Sequence, residues 1–322
     1  MASKKSEKNK QKRLAKKKAA RKQKQKAQAK SSTPELRLIE GGAEGELPFA
    51  LPDPRAMEAG LRDLFGFGSQ ESNADSEAQD LMYQAFEEDD AAKRIGLARQ
   101  ALEVSPDCAD AYCLLAQEDA PSIEEAIKLL QEGVAAGERL LGPDAFEGDV
   151  GHFWGLIETR PYMRARADLA QCLWASGKQS EAVGHYRELL RLNPNDNQGN
   201  RDVLVVHLIE LGEDAEAADL FDKYPDDAGA SSVYGKALLA FRREGDSEAA
   251  REALDAAIAQ NEHVPALLLG KKRLPNQLPP YMGFGDENEA VHYVATALSG
   301  WDQTPDAHGW LGSRVKLAGG RA

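Results

Sequence analysis

Apolar residues recur with helical spacing from about residue 76 almost to the end of the chain. They return every three or four positions, and no segment shows a convincing alternation of apolar and polar residues like that of a half-buried strand. The helical segments come in pairs, separated by turns at Gly or Pro. The pattern therefore predicts an all-α fold made of helix pairs, which we compared with one another as candidate repeats.

Three pairs align at their turn glycines, Gly177, Gly212 and Gly245, which lie 35 and 33 residues apart. After each glycine, an Ala follows at the fifth position, an aromatic residue or Leu at the ninth, and a small or apolar residue at the twelfth. The tetratricopeptide period is about 34 residues. The aligned sets are Ala182, Tyr186 and Leu189, then Ala217, Phe221 and Tyr224, then Ala250, Leu254 and Ala257.

The residue types fit this repeat physically. A glycine can adopt the positive φ of a tight turn, and an Ala lets two helices approach closely. Two weaker copies lie at 91–107 and 105–134, so we predict about five helix pairs over residues 76–265. Stacked pairs of this kind form a right-handed solenoid with a concave face. Residues 266–316 are expected to cap this solenoid, and residues 317–322 form a loose tail.

An insertion at 137–160 interrupts the repeats. Aromatic and basic residues crowd together in the stretch 152–174, HFWGLIETRPYMRARADLAQCLW, which begins inside the insertion. Pro161 suits the first turn of a helix, because proline has no N–H to donate there. We interpret the cluster as a packed joint between helices. An active site within residues 137–165 is the weaker alternative. The predicted joint residues are Phe153, Trp154, Arg160, Pro161 and Tyr162.

The first helices of tetratricopeptide pairs line the concave groove, and counting from the turn glycines gives candidate groove positions. Trp174 would serve as an apolar anchor, and Arg164 and Arg242 as partners for carboxylates. The positions that hold Lys and Asn in chaperone-binding grooves carry Cys113 and Gln117 here, or Ala167 and Gln171, so chaperone binding is not predicted. The full set of peptide-groove candidates is Arg164, Gln171, Trp174, Asp202 and Arg242.

Charge divides the chain unevenly. Residues 1–30 carry 14 Lys or Arg and one acidic residue, Glu7, whereas the rest carries 26 Lys or Arg against 52 Asp or Glu. The arm 1–30 contains one Leu and no aromatic residue, so we expect it to be disordered when free. It could bind RNA, the ribosome or an anionic surface, or serve as a solubilising tail folded back on the acidic body. A Pro- and Gly-rich linker, 31–75, follows, with one short amphipathic helix predicted at 56–67.

Motifs of known chemistry are missing from the sequence. GFGSQE and GFGDEN lack the third glycine of a dinucleotide loop, and neither GxSxG nor HExxH occurs. The six His are isolated from one another, and the three Cys have no zinc spacing and favour a reducing, cytosol-like compartment. No apolar run is long enough to span a membrane. We therefore predict a cytoplasmic protein without catalytic, cofactor-binding or metal-binding residues, which is not an enzyme.

Three long phrases, present in the expected order, resemble the suppression-of-tumorigenicity-seven family and its shorter bacterial relatives. They are SPDCADAYCLLAQEDAPSIEEAIKLLQEGV, TRPYMRARADLAQCLWASGKQSEAV and NEHVPALLLGKKRLPNQLPPYMGFGDENEAVHYV. The resemblance covers roughly residues 83–312. It implies a tetratricopeptide-like helical protein and carries no catalytic residues over. Animal members are described as membrane proteins, a localisation that the lack of an apolar span sets aside here.

Together these features favour a protein-interaction scaffold that binds a peptide or protein segment in its groove. The alternative is an RNA- or ribosome-associated adaptor that uses the basic arm.

Overall fold

Helices make up all the regular secondary structure of the described residues, as the apolar spacing predicts. The structure is a computed structural model, and it describes residues 73–319 together with Arg55, Glu58 and Leu61. The predictions for the arm 1–30 and for most of the linker 31–75 lie outside this part. The helices are α1 (Asn73–Glu87), α2 (Ala91–Val104), α3 (Ala109–Glu118), α4 (Ile123–Leu141), α5 (Pro143–Gly148), α6 (Arg160–Ala175), α7 (Gln179–Leu192), α8 (Asn200–Leu211), α9 (Asp214–Lys223), α10 (Ala230–Glu244), α11 (Glu248–Gln260), α12 (Val264–Leu268), α13 (Glu287–Asp302) and α14 (Ala307–Gly319).

Ten of these helices form five consecutive pairs. We call α1, α3, α6, α8 and α10 the first helices, and α2, α4, α7, α9 and α11, which follow them and pack against them, the second helices. Neighbouring pairs also touch, because α3 packs against α6 and α8 packs against α10. The later helix α13 packs against α8, α10 and α12, and α14 packs against α11, α12 and α13.

The turn glycines behave as the repeat predicts. Gly177, Gly212 and Gly245 have φ angles of +82°, +75° and +63°, a region that residues with a Cβ rarely enter. The Ala five positions after each glycine is fully buried, and so the two helices of each pair can approach closely. These three alanines are Ala182, Ala217 and Ala250.

The inserted segment is compactly folded between α4 and α6. Ser122 caps the start of α4, since its hydroxyl accepts a hydrogen bond from the amide of Glu125. Helix α4 then runs for 19 residues, and two short 3-10 turns, Phe153–Gly155 and Ile157–Thr159, connect α5 to α6. Gly137 lies against α6 so closely that an added Cβ would stand 2.8 Å from the Cβ of Tyr162 and 3.2 Å from its Cα.

Because Gly137 is crowded and Gly184 is not, we expect opposite effects on stability when each is replaced with Ala. We expect Gly137→Ala to lower the free energy of unfolding by about 1–3 kcal/mol, because the methyl group has to push α6 away. Gly184, in α7, has no atom within 4 Å of an added Cβ. Gly184→Ala is therefore expected to raise stability by up to about 1 kcal/mol through helix propensity. Urea unfolding of the full-length variants measures both, and equal shifts for the two would contradict the close packing of α4 on α6.

Candidate functional site

The predicted joint residues lie together where the insertion enters α6. The rings of Phe146, Phe153 and Tyr162 form one cluster, with centroids 5.2–6.2 Å apart. Phe153 and Tyr162 are buried, and Pro161 stands in the first turn of α6. Thr159 precedes α6, but its hydroxyl donates to the carbonyls of Phe153 and Leu156 and does not cap the helix.

Arg160 ties this joint to the segment ahead of α1. Its Nε donates a 3.0 Å hydrogen bond to the Trp154 carbonyl, and its guanidinium lies over the Trp154 ring. Its Nη1 lies 3.0 Å from Oε1 of Glu58. Glu58 and Leu61 are the described residues of the predicted 56–67 helix, and both are helical.

Arg164, a predicted groove residue, is held between two buried carboxylates. Its Nη1 donates to both oxygens of Glu58 at 3.0 Å, and its Nε and Nη2 donate to Asp110 at 2.8 and 2.6 Å. The Gln79 amide adds a 2.9 Å bond to Asp110. Burial opposes the charge on Arg164, but Asp110 and Glu58 outweigh this effect and raise its pKa. Arg164 therefore already binds a carboxylate from another segment of its own chain.

Trp174 and Gln171 also project from α6. The Trp174 ring stacks on the His207 imidazole of α8, with centroids 3.4 Å apart and planes 12° apart. Burial lowers the pKa of His207 to about 4, so this imidazole is neutral at pH 7. Gln171 is exposed. Trp174 thus links two first helices, whereas Gln171 lies open to a partner.

Arg242 joins its own helix, α10, to three others, α8, α9 and α13. Its guanidinium donates to the carbonyls of Ile209 at 2.7 Å and of Gly300 at 3.0 Å. It also donates to Asp214 and to the Thr304 hydroxyl, both at 2.7 Å. These contacts connect the fifth pair to the fourth and to the end of α13.

Asp202 lines a cleft of about 330 Å³ where α8, α10 and α13 begin. Burial, followed in size by the nearby charge of Asp227, raises the pKa of Asp202 to about 7. Of the five predicted groove residues, the structure thus places Arg164 and Arg242 in internal contacts and Trp174 in a stack, while Gln171 is exposed and Asp202 is half-buried.

Sequence reasoning missed the partners of these residues. Asp110 and His207 are polar residues at buried positions of first helices, a placement that helical periodicity would have revealed. No local sequence pattern predicts that Glu58 is buried in an ion pair, because its partner Arg164 lies 106 residues further along the chain.

The described residues were compared with the patterns of metal sites, membrane-spanning helices and disulfides. Among residues 73–319 and the three described residues ahead of them, His, Cys, Asp and Glu nowhere gather in the groups of three that would hold a metal ion. Within the same residues, each helix is either too short or too polar to cross a membrane. All three cysteines are unpaired.

These observations define an all-helical protein of packed helix pairs, tied together by buried arginine and aromatic contacts between neighbouring pairs. The family model described as "ST7 protein" matches residues 56–312. The chain therefore belongs to the ST7 family.

Relatives from animals agree with this assignment. The chain is 30% identical over 282 residues to the Protein ST7 homolog of Drosophila melanogaster, which covers 78% of this chain and 51% of the fly protein. It is 32% identical over 251 residues to the Suppressor of tumorigenicity 7 protein-like of Homo sapiens, covering 70% of this chain and 43% of the human protein. The chain thus spans about half the length of the curated relatives it matches.

Proposed function

We propose that this chain is a tetratricopeptide-like interaction scaffold whose first helices bind a segment of a partner protein. The observation that carries the proposal is the burial of Glu58 on α6, where Arg160 and Arg164 grip its carboxylate. The carboxylate of Glu58, far away in sequence, is thereby bound by side chains of a first helix. A partner segment would be recognised in the same way, through charged and aromatic groups that the first helices present.

The repeat spacing and the packing of first helices on one another support a stacked-pair solenoid. The unpaired cysteines support a reducing, cytoplasmic compartment, since such thiols persist there. The proposal assigns no reaction to the chain, because the buried charges of Glu58, Arg164 and Asp110 form ion pairs that hold helices together. We therefore place it among the non-enzymatic proteins.

Site-specific photo-crosslinking tests this proposal. The full chain carries a photoreactive amino acid at Gln171, exposed on the first helix α6, or at Ser180, exposed on the second helix α7. We expect Gln171 to capture a defined protein in cell extract, and Ser180 to capture it at least about tenfold less, because only the first helices contact the bound segment.

Nuclease treatment is the control for this experiment, because the basic arm 1–30 can recruit RNA. Capture at Gln171 should survive nuclease and high salt. Equal capture at both positions, or capture that disappears with nuclease, would overturn the proposal.

A further inference from the structure

The cleft beside Asp202 has the size and the lining of a binding site. Its volume is about 330 Å³, and its walls come from the first turns of α8 and α10 and from the first three turns of α13. The residues 282–284 close one side. A cleft of this size accommodates one or two side chains of a peptide.

Most charges around the cleft are already paired. Arg201 donates to Asp227 at 2.7 Å and to Asp196 at 3.2 Å, so its charge is neutralised within the protein. Glu289 accepts hydrogen bonds from the amides of Ala230 and Gly285 and from the Asn261 side chain.

Asp202 is different, because its carboxylate receives no hydrogen bond from any residue in the described part of the chain. Next to it, the buried Ser232 hydroxyl also lacks a hydrogen-bond partner there, and both residues line a second cavity of about 10 Å³. Burial disfavours the charged form of this carboxylate, and a cation from a ligand would stabilise that form through charge-assisted hydrogen bonds.

Exposed apolar side chains stand at the mouth of the cleft, and we call Tyr281, Met282 and Phe284 the apolar lip. Met282 and Phe284 line the cleft and are 62% and 81% exposed, and Tyr281 beside them is 66% exposed. Large hydrophobic side chains elsewhere in the described part are mostly buried, so this grouping marks an interaction surface.

The backbone of the lip is fixed although its side chains are open. The amide of Gly283 donates to Asp286 at 2.7 Å, and Nε2 of His292 lies 2.8 Å from the Pro279 carbonyl. Gly285 has a φ of +76°, and an added Cβ would stand 2.8 Å from the Gln260 carbonyl. The loop is therefore built to hold its apolar side chains outward, which lowers the entropy cost of binding.

We propose that this cleft binds an arginine side chain of a partner peptide at Asp202, while a large apolar residue beside that arginine packs on Met282 and Phe284. Arginine fits better than lysine, because its planar guanidinium pairs with a carboxylate through two hydrogen bonds and stacks on aromatic rings. The inference rests on the proposed function and names the chemistry of the bound segment.

Fluorescence anisotropy with the full chain tests this inference. The probe is a labelled nine-residue peptide with Leu-Arg-Phe at its centre and Gly and Ser flanks. One control peptide carries citrulline, which has the shape of arginine without its charge, and another carries Ala in place of both Leu and Phe. We expect the arginine peptide to bind at least about tenfold tighter than either control.

Two variants connect the binding to the cleft. Asp202→Asn should weaken the arginine peptide about tenfold and leave the citrulline peptide unchanged, and Phe284→Ala should weaken both. Asp226→Asn is the matched control, since Asp226 is exposed and does not line the cleft.

Asp202→Asn should also unfold at higher urea concentration than wild type at about pH 8, because it removes a carboxylate that burial disfavours.

The pH dependence gives a separate readout. With a pKa of about 7, Asp202 gains its charge as the pH rises, so affinity for the arginine peptide should increase from about pH 5.5 to pH 8. Arg201, Asp196 and Asp227 face the same group, as do Glu289 and His292 from α13. Asp202→Asn should remove most of the pH effect if Asp202 is its origin.

Several results would overturn the inference. They are equal binding of the arginine and citrulline peptides, no effect of Asp202→Asn, or self-association of the chain that Phe284→Ala abolishes, since a second copy would then occupy the lip. If the peptide fails to bind while Gln171 still captures a protein, the inference is wrong and the proposed function stands. If Gln171 captures nothing while the peptide binds as expected, recognition through α6 is wrong, and the cleft at Asp202 on α8 is the site that binds the partner segment.

Discussion

Replacing Arg164 with Met is expected to lower the free energy of unfolding by about 3–5 kcal/mol, the loss typical of a broken buried ion pair. Arg164 is the main cation for Asp110, which is 1% exposed, and it shares Glu58 with Arg160. Methionine keeps most of the side-chain volume, so the loss reports the unpaired carboxylates and not a cavity. Urea denaturation of the full chain, followed by circular dichroism, measures it.

An exposed arginine serves as the control for this variant. Arg187 pairs with Glu216 between α7 and α9, and both side chains are more than a third exposed. Arg187→Met should therefore cost less than about 1 kcal/mol. Adding Asp110→Asn to Arg164→Met should recover part of the loss, because the amide carries no buried charge. Similar losses of stability for Arg164→Met and Arg187→Met would show that the Glu58–Arg164–Asp110 network does not stabilise the fold.

The second large effect is expected at Arg242. Arg242→Met should lower the free energy of unfolding by about 2–4 kcal/mol, because it leaves the carbonyls of Ile209 and Gly300 without their charged donor. It should also speed proteolysis of α13, which this guanidinium joins to α10. Urea unfolding and limited chymotrypsin digestion measure the two effects, since α13 contains no Lys or Arg for trypsin but offers Tyr293 and Trp301 to chymotrypsin.

The neighbouring Arg243 provides a control on the same helix, because it is exposed. Arg243→Met should change stability by less than about 0.5 kcal/mol. If α13 is cleaved no faster in Arg242→Met than in Arg243→Met, the described joint between α10 and α13 does not govern the stability of the C-terminal part.

The features of the fold that depend on residues close together in sequence could be predicted. The helix pairs follow from apolar spacing, and the turns at Gly177, Gly212 and Gly245 follow from a backbone conformation that favours glycine. Both signals lie within a few residues of the feature they predict. The aromatic joint at Phe153 and Tyr162 could also be predicted, since bulky residues crowd there in the sequence itself.

The contacts between distant segments could not be predicted in this way. Arg164 and Arg242 were expected to face a partner, but their guanidinium groups meet Glu58 and Gly300, which lie 106 and 58 residues away. An arginine on a first helix has the same local pattern whether it binds a ligand or another part of its chain. Only the positions of α13 and of the Glu58 carboxylate in the folded chain distinguish these two roles.

The central claim is that the first helices carry the binding surface, and hydrogen–deuterium exchange of the full chain tests it most directly. Exchange is measured with the chain alone and in complex with the protein captured at Gln171. The account predicts slower exchange in α6, at the start of α8 and in the loop around Phe284, with little change in α7, α9 and α11. Protection confined to those second helices would contradict it.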